Sequence, residues 1–292
     1  MGSEPEREKS AIRKAVSLGM GLVDTAEMYG NERMVGDALK SEDGFFLATK
    51  VSPHHFRYDD VINACRASLS RLGVKSLDLY QLHWPNGSVP IGETMSAMER
   101  LLDEGLIRNI GVSNFSLAET KAAQEAMKKY EIVSNQLEYS LLVRDIESDG
   151  LSDYCKANGI TIIAYSPIAR GAILDGRQAS LSSTLGEIGR SHGKTPAQVA
   201  LNWVISHDNV VAIPKSSSAE HVAENAGASG WKMTQKEKGI LEDAAVGKKP
   251  IASGIKPFMS RMSFLSGAYQ RVSVFKNRNS HRSSRTTKSS KK

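Results

Sequence analysis

Seven short runs dominated by β-branched and apolar residues recur along the chain: GLVDT (21–25), FFLATKV (45–51), SLDLYQLH (76–83), IRNIGVS (107–113), IVSNQLEYS (132–140), TIIAYSP (161–167) and VVAIPKS (210–216). Their near-continuous apolar character, without strict alternation, marks strands covered on both faces. The stretches between them carry apolar residues at helical spacing, so strand and helix alternate and a parallel sheet covered by helices is the economical arrangement. Two helix starts can be read directly. Ser116 precedes LAETKAAQEAM with Glu119 three residues on, a capping box, and Thr195-Pro196 opens AQVALNWVI.

Polar residues choose between the two architectures that this alternation allows. Asp24, Lys50, His83, Asn114, Gln136, Tyr165 and Lys215 each stand at or just past the C-terminal end of a different run. A barrel gathers all those ends at one mouth, whereas a doubly wound sheet gathers only those at its switch point, and no GxGxxG follows an early strand. The pattern therefore predicts a (β/α)8 barrel of the TIM type over residues 1–247, lacking its first β-strand. Only about twenty residues precede the first run, and SEPEREKSAIRKAVSLG, with apolar Ile12, Ala15 and Val16, reads as a helix. An open barrel exposes two unpaired parallel edges, so the expectation is a chain without its natural N-terminus in preference to a seven-stranded barrel.

Charge changes the picture at the other end. The net charge of +6 comes from the tail: after Asp243 there is no acid, and twelve Lys and Arg follow, leaving 26 basic against 32 acidic residues before it. Residues 248–292 read as a basic extension whose last sixteen residues are expected to be disordered, and membrane contact through it is the less frequent case for such tails. The acidic body gives no reason to expect nucleic acid as a partner. Two cysteines, Cys65 and Cys155, are too few for a disulfide framework or a zinc site and read as inert buried thiols. His54-His55 reads as a loop pair, so no metal is expected. Without a membrane-length apolar stretch, or an apolar segment in MGSEPEREKS to serve as a signal peptide, a cytoplasmic protein is expected.

One combination carries chemistry. Reducing a carbonyl requires hydride at carbon and a proton at oxygen. Tyrosine can supply that proton with help from an ammonium and a second polar group. Asp24 and Tyr29 straddle one strand end, Lys50 closes LATK and His83 closes QLH. Taken singly, these read more simply as a turn residue, a solvated strand end and a core histidine; their joint placement at one mouth favours chemistry. Gly111 reads as close strand packing.

The stretches DTAEMYGNE, LATKV, LDLYQLHWP, IGVSNF, NQLEYS, AYSPIARG and IPKSSSAEHVAEN resemble, in order, the signature stretches of the aldo-keto reductase family, from about residue 11 to 245. The resemblance implies NADPH-dependent reduction of small aldehydes and ketones, with Tyr29 as general acid, Lys50 paired with Asp24 as its tuner, and His83 orienting the substrate carbonyl. It places Ser113, Asn114 and Gln136 on the nicotinamide carboxamide, Tyr165 against the nicotinamide ring with Ser166 and Pro167 beside it, Lys215, Ser216 and Ser217 at the 2′-phosphate, and Glu224 and Asn225 at the adenine. His221 stands where NADPH-preferring relatives carry arginine, which leaves NADH possible. Trp84 reads equally as a substrate wall or as rim packing. The short segment between His83 and the next helix implies an open mouth, suited to compact or sugar-derived carbonyls. Two rival readings are a cofactor-binding regulatory subunit like the potassium-channel beta subunits, which resemble this family, and a truncated, inactive reductase.

Overall fold

Apolar runs too short for helices pair with one another, and the amphipathic stretches between them cover the resulting sheet. In the computed structural model, which describes residues 5–174 and 178–246, the first half runs α1 (Pro5–Ser17), β1 (Leu22–Asp24), α2 (Glu32–Leu39), β2 (Phe46–Val51), α3 (Tyr58–Leu72), β3 (Leu79–Leu82), α4 (Ile91–Asp103), β4 (Ile110–Ser113) and α5 (Leu117–Ala126). The second half runs β5 (Ile132–Glu138), α6 (Asp145–Ser148), α7 (Leu151–Ala157), β6 (Thr161–Tyr165), α8 (Ala179–His192), α9 (Pro196–Ile205), β7 (Val210–Ile213), α10 (Ala219–Ala226) and α11 (Gln235–Ala245). All seven strands predicted from the sequence are present, parallel and paired in chain order. The expected capping box forms at Ser116 with Glu119, and the expected start at Thr195-Pro196 carries a second box, Thr195 with Gln198.

The sheet curls into a barrel. Leu22 of β1, Phe46 and Ala48 of β2, Leu79 of β3, Ile163 of β6 and Val211 and Ile213 of β7 form one buried cluster, so the two ends of the strand order face each other across a shared interior. No ladder joins β7 to β1 among the described residues. The helix layer spans that seam: α1 packs against both α2 and α10, burying Ala11, Ile12 and Ala15. Outside the sheet, two larger apolar clusters lie under the helices, one beneath α1 to α5 and α10, and one beneath α6 to α9 and α11, the latter built around the fully buried Trp203. The basic extension at 248–292 lies outside the described residues.

Two local features set which side chains reach the interior. A bulge between β4 and β5 shifts the register, with Ile110 opposite Ile132 but Gly111 opposite Ser134. The extra residue, Val133, reverses the inward and outward parity, and Ser134 and Gln136 face inward as a result. Gly111 fulfils its expected role. A Cβ there would lie 2.3 Å from Ser134 Oγ and 2.9 Å from Gln81 Cγ, so only glycine leaves room for both polar chains inside the barrel.

Candidate active site

Strand order places the four expected residues together. Asp24 ends β1 and pairs in register with Ala48, so Lys50, two residues further along β2, projects into the interior one level above. Lys50 Nζ donates to Asp24 Oδ2 at 2.5 Å and to the Thr25 carbonyl at 2.8 Å, with both side chains buried. Burial pulls the Lys50 pKa below its ordinary value, and the charge and hydrogen bond of Asp24 oppose that pull. Asp24 Oδ1 accepts from Gln136 Nε2 at 2.9 Å and from Gln81 Nε2 at 3.1 Å, so both carboxylate oxygens are engaged.

Tyr29 closes a 3-10 turn, Glu27–Tyr29, and Gly30 (φ 68°) ends that turn in the left-handed region. The turn is fastened to the neighbouring strand end. Glu27 accepts from the Ser52 backbone N–H and lies 3.0 Å from His55 Nδ1, so His55 of the His54-His55 pair helps to fasten the turn. Held this way, the Tyr29 hydroxyl sits 3.3 Å from His83 Nε2, and Lys50 Nζ lies 5.0 Å from the centre of the Tyr29 ring. Burial, then the Asp24 charge, raises the Tyr29 phenol well above its ordinary range, so it carries its proton at neutral pH. Burial and the Lys50 charge push His83 down to about 3, so its imidazole is neutral. The Trp84 ring packs 4.6 Å from that of His83 and is half-buried at the rim.

A second polar group lies beside the first. Ser113 Oγ donates to the Gln136 carbonyl at 2.9 Å, and Asn114 Nδ2 donates to Ser113 Oγ at 3.0 Å and to the His83 carbonyl at 3.1 Å. Asn114 Oδ1 accepts from the Tyr165 hydroxyl at 2.9 Å, which links the ends of β4 and β6. Asn114 (φ 59°), Ser166 (φ 50°), Ala169 (φ 47°) and Arg170 (φ 55°) adopt left-handed backbone that costs a non-glycine residue on the order of 1–3 kcal/mol. That strain is gathered just past the ends of β4 and β6. Ser166 is half-buried there and Pro167 is buried.

The remaining expected residues lie around α10. Lys215 and Ser217 are exposed, Ser216 is buried with its hydroxyl donating to the Ser218 carbonyl at 2.9 Å, and His221 is exposed in the first turn of α10. Glu224, from the same helix, lines a 390 Å³ cavity with Ile173, Leu174, Ser182, Pro196 and Ala197, while Asn225 is buried nearby on α10. The structure thus brings Asp24, Tyr29, Lys50 and His83 into one cluster, joins Gln136 to it, and sets Lys215 to Asn225 apart on the β7–α10 segment. Sequence reasoning missed Gln81, Glu27 and the Pro196-Ala197 wall. Gln81 did leave a signal, as the one amide in the apolar run LDLYQL. Among the described residues, no helix is long and apolar enough to cross a membrane, and no cluster of His, Cys, Asp and Glu could hold a metal ion.

Comparison with known proteins identifies the family. The chain is 40% identical over 247 residues to the methylglyoxal reductase YeaE of Escherichia coli, covering 83% of this chain and 86% of that one. It is 34% identical to the glyoxal reductase of Bacillus subtilis, covering 82% and 86%. Among solved structures, an aldo/keto reductase from Klebsiella pneumoniae in complex with NADP and acetate superposes with a TM-score of 0.78 at 34% identity, covering 91% of each chain. The thermostable aldo-keto reductase Tm1743 gives 0.77 at 38% identity, covering 84% of this chain and 89% of that one. The model of the Aldo/keto reductase family matches residues 2–245, and the chain belongs to that family.

Proposed function

We propose that this chain reduces small aldehydes and ketones to alcohols, with NADPH as the reductant and Tyr29 as the proton donor. The observation that carries the proposal is the Tyr29 hydroxyl, protonated and 3.3 Å from a neutral His83, with the Lys50–Asp24 pair at its back. NADPH, when bound, supplies hydride to the carbonyl carbon. Tyr29 O–H and His83 Nε2 lie within hydrogen-bond distance of each other, so a carbonyl oxygen set beside them would meet both groups. Tyr29 gives that oxygen its proton, and the nearby Lys50 ammonium stabilises the phenolate left behind. A neutral imidazole is a far weaker acid than an imidazolium, so His83 serves to orient the carbonyl.

The residues present suit the cofactor. Ser113, Asn114 and Gln136 offer the mixed donors and acceptors that a carboxamide requires, and the half-buried Tyr165 ring offers a stacking plane, with Ser166 and Pro167 shaping the loop beside it. Lys215, Ser216 and Ser217 stand before α10, where a cation, hydroxyls and a helix start suit the 2′-phosphate, and His221 extends that group. The 390 Å³ cavity takes the adenine, with Glu224 on its wall and Asn225 beside it. Trp84 walls the substrate side. The two relatives named for glyoxal and methylglyoxal support a compact carbonyl as substrate.

The test is loss of NADPH absorbance on adding methylglyoxal, glyoxal and a simple aldehyde, with NADH as the alternative reductant. Turnover with at least one of these carbonyls is expected. NADPH binding without any turnover would instead favour a cofactor-binding subunit.

A further inference from the structure

The interior of a barrel below its mouth is apolar, and here Leu22, Phe46, Ala48, Leu79, Ile163, Val211 and Ile213 fill it. Gln81 departs from that rule, together with Ser134 and the Lys50–Asp24 pair beside it. It points inward from β3 with no exposed surface, in register with Lys50 on one side and Gly111 on the other. An unpaired amide at that depth costs several kcal/mol, so a glutamine has to use its polar atoms there. Its Nε2 donates to Asp24 Oδ1 at 3.1 Å, and its Oε1 lies 3.5 Å from Gln136 Nε2. Gly111 provides the room, since a Cβ there would press to 2.9 Å on Gln81 Cγ. The second amide on the same oxygen, Gln136 Nε2, belongs to a residue assigned above to the cofactor carboxamide.

We infer that Gln81 is a positioning residue that holds the Asp24 carboxylate, and through it Lys50, in place for proton donation by Tyr29. The inference rests on the reading of Tyr29 as proton donor. When Gln136 turns its amide to a carboxamide, Gln81 is the side-chain amide left on Asp24 Oδ1. Without it, Oδ1 loses that donor and the carboxylate charge is less well satisfied. The charged and titratable groups that share this space are Lys50 from β2, Tyr29 from the 3-10 turn, His83 at the end of β3, Glu32 of α2, whose charge reaches Lys50, and Tyr165 of β6, whose phenol is coupled to that of Tyr29. A less satisfied Asp24 charge raises the Tyr29 phenol further, because Asp24 already acts on it in that direction.

The test is Gln81→Met, which keeps the unbranched shape and removes the amide. Two readouts are taken. In the cofactor-free protein, tyrosinate absorbance is titrated with Tyr29→Phe as the blank, so the Tyr29 midpoint is read whether or not the protein turns over. In the NADPH-loaded protein, kcat and KM are measured against pH. The Tyr29 midpoint is expected to rise by about one pH unit, and kcat to fall about tenfold with KM within about twofold. An unchanged midpoint and unchanged kcat, even with a lower Tm, would overturn the inference and leave Gln81 a packing residue. A shifted midpoint in a protein whose parent shows no turnover would uphold the positioning role while refuting the proposed reaction. Should Gln81→Met fail to fold, Gln81→Glu serves. Its neutral carboxyl can donate to Asp24 in acid, so activity is expected to survive at low pH and collapse as the new group ionises. A pH profile matching the parent would refute the inference.

Discussion

Replacing His83 with asparagine removes a group that the fold keeps from taking up a proton. Burial and Lys50 hold its pKa at about 3, against roughly 6.5 in an unfolded chain. Because the folded pKa is depressed, the contribution to stability is fully present above about pH 6.5 and is lost as pH falls from there toward 3. Each pH unit in that window costs about 1.4 kcal/mol per proton, so at about pH 5 the native protein is weaker by about 2 kcal/mol on account of this histidine alone. Urea denaturation at a series of pH values reads this directly. The substitution will change absolute stability through lost packing, so the slope is the readout. Carboxylates contribute to both slopes alike, and His83→Asn is expected to flatten the curve between about pH 6.5 and 5 by about 2 kcal/mol. Identical slopes would mean that His83 protonates freely in the native state. It could then compete with Tyr29 as the acid, and the assignment of roles would fail.

Other positions give independent checks. Gly36 of α2 faces the end of α3, and a Cβ there would lie 2.2 Å from the Leu72 carbonyl oxygen. The contact is with backbone, so Gly36→Ala is expected to lose about 1–3 kcal/mol or more in denaturant unfolding; a loss below about 0.5 kcal/mol would show that the two helices move apart easily. Lys50→Met leaves Asp24 buried without its cation and is expected to cost about 3–5 kcal/mol together with activity, as read by urea melts and turnover. Ser116→Ala removes the cap of α5, whose Oγ accepts from the Glu119 N–H, and should cost about 1 kcal/mol in the same melts with turnover intact.

The strands were legible because a parallel sheet buried on both faces leaves unbroken apolar runs, and the strand ends were legible because polar residues interrupt them. That reasoning located Asp24, Lys50 and His83. The bulge at Val133 left no such mark, and without it the parity of β5 would place Gln136 on the wrong face. Family resemblance put Gln136 on the carboxamide. The structure adds its hydrogen bond to Asp24, a contact across 112 residues of chain that no local pattern encodes. Glu27 escaped notice for a similar reason: one acid in a turn says nothing about the Ser52 N–H and His55 it meets on the next strand's loop. No ladder joins β7 to β1 among the described residues, and the cover that α1 gives this seam leaves no mark in the local sequence. The spacing of Ile12, Ala15 and Val16 marks α1 as a helix, and its packing against α10 follows from the curl of the sheet.

The central claim is that Tyr29 gives up the proton. Tyr29→Phe keeps the ring under Lys50 and removes only the hydroxyl, so NADPH affinity, read by quenching of protein fluorescence, should stay within about threefold of the parent. Carbonyl turnover should fall by a factor of about 10² or more. Tight NADPH binding with turnover equal to that of the parent would contradict the account and move the proton donor elsewhere in the mouth.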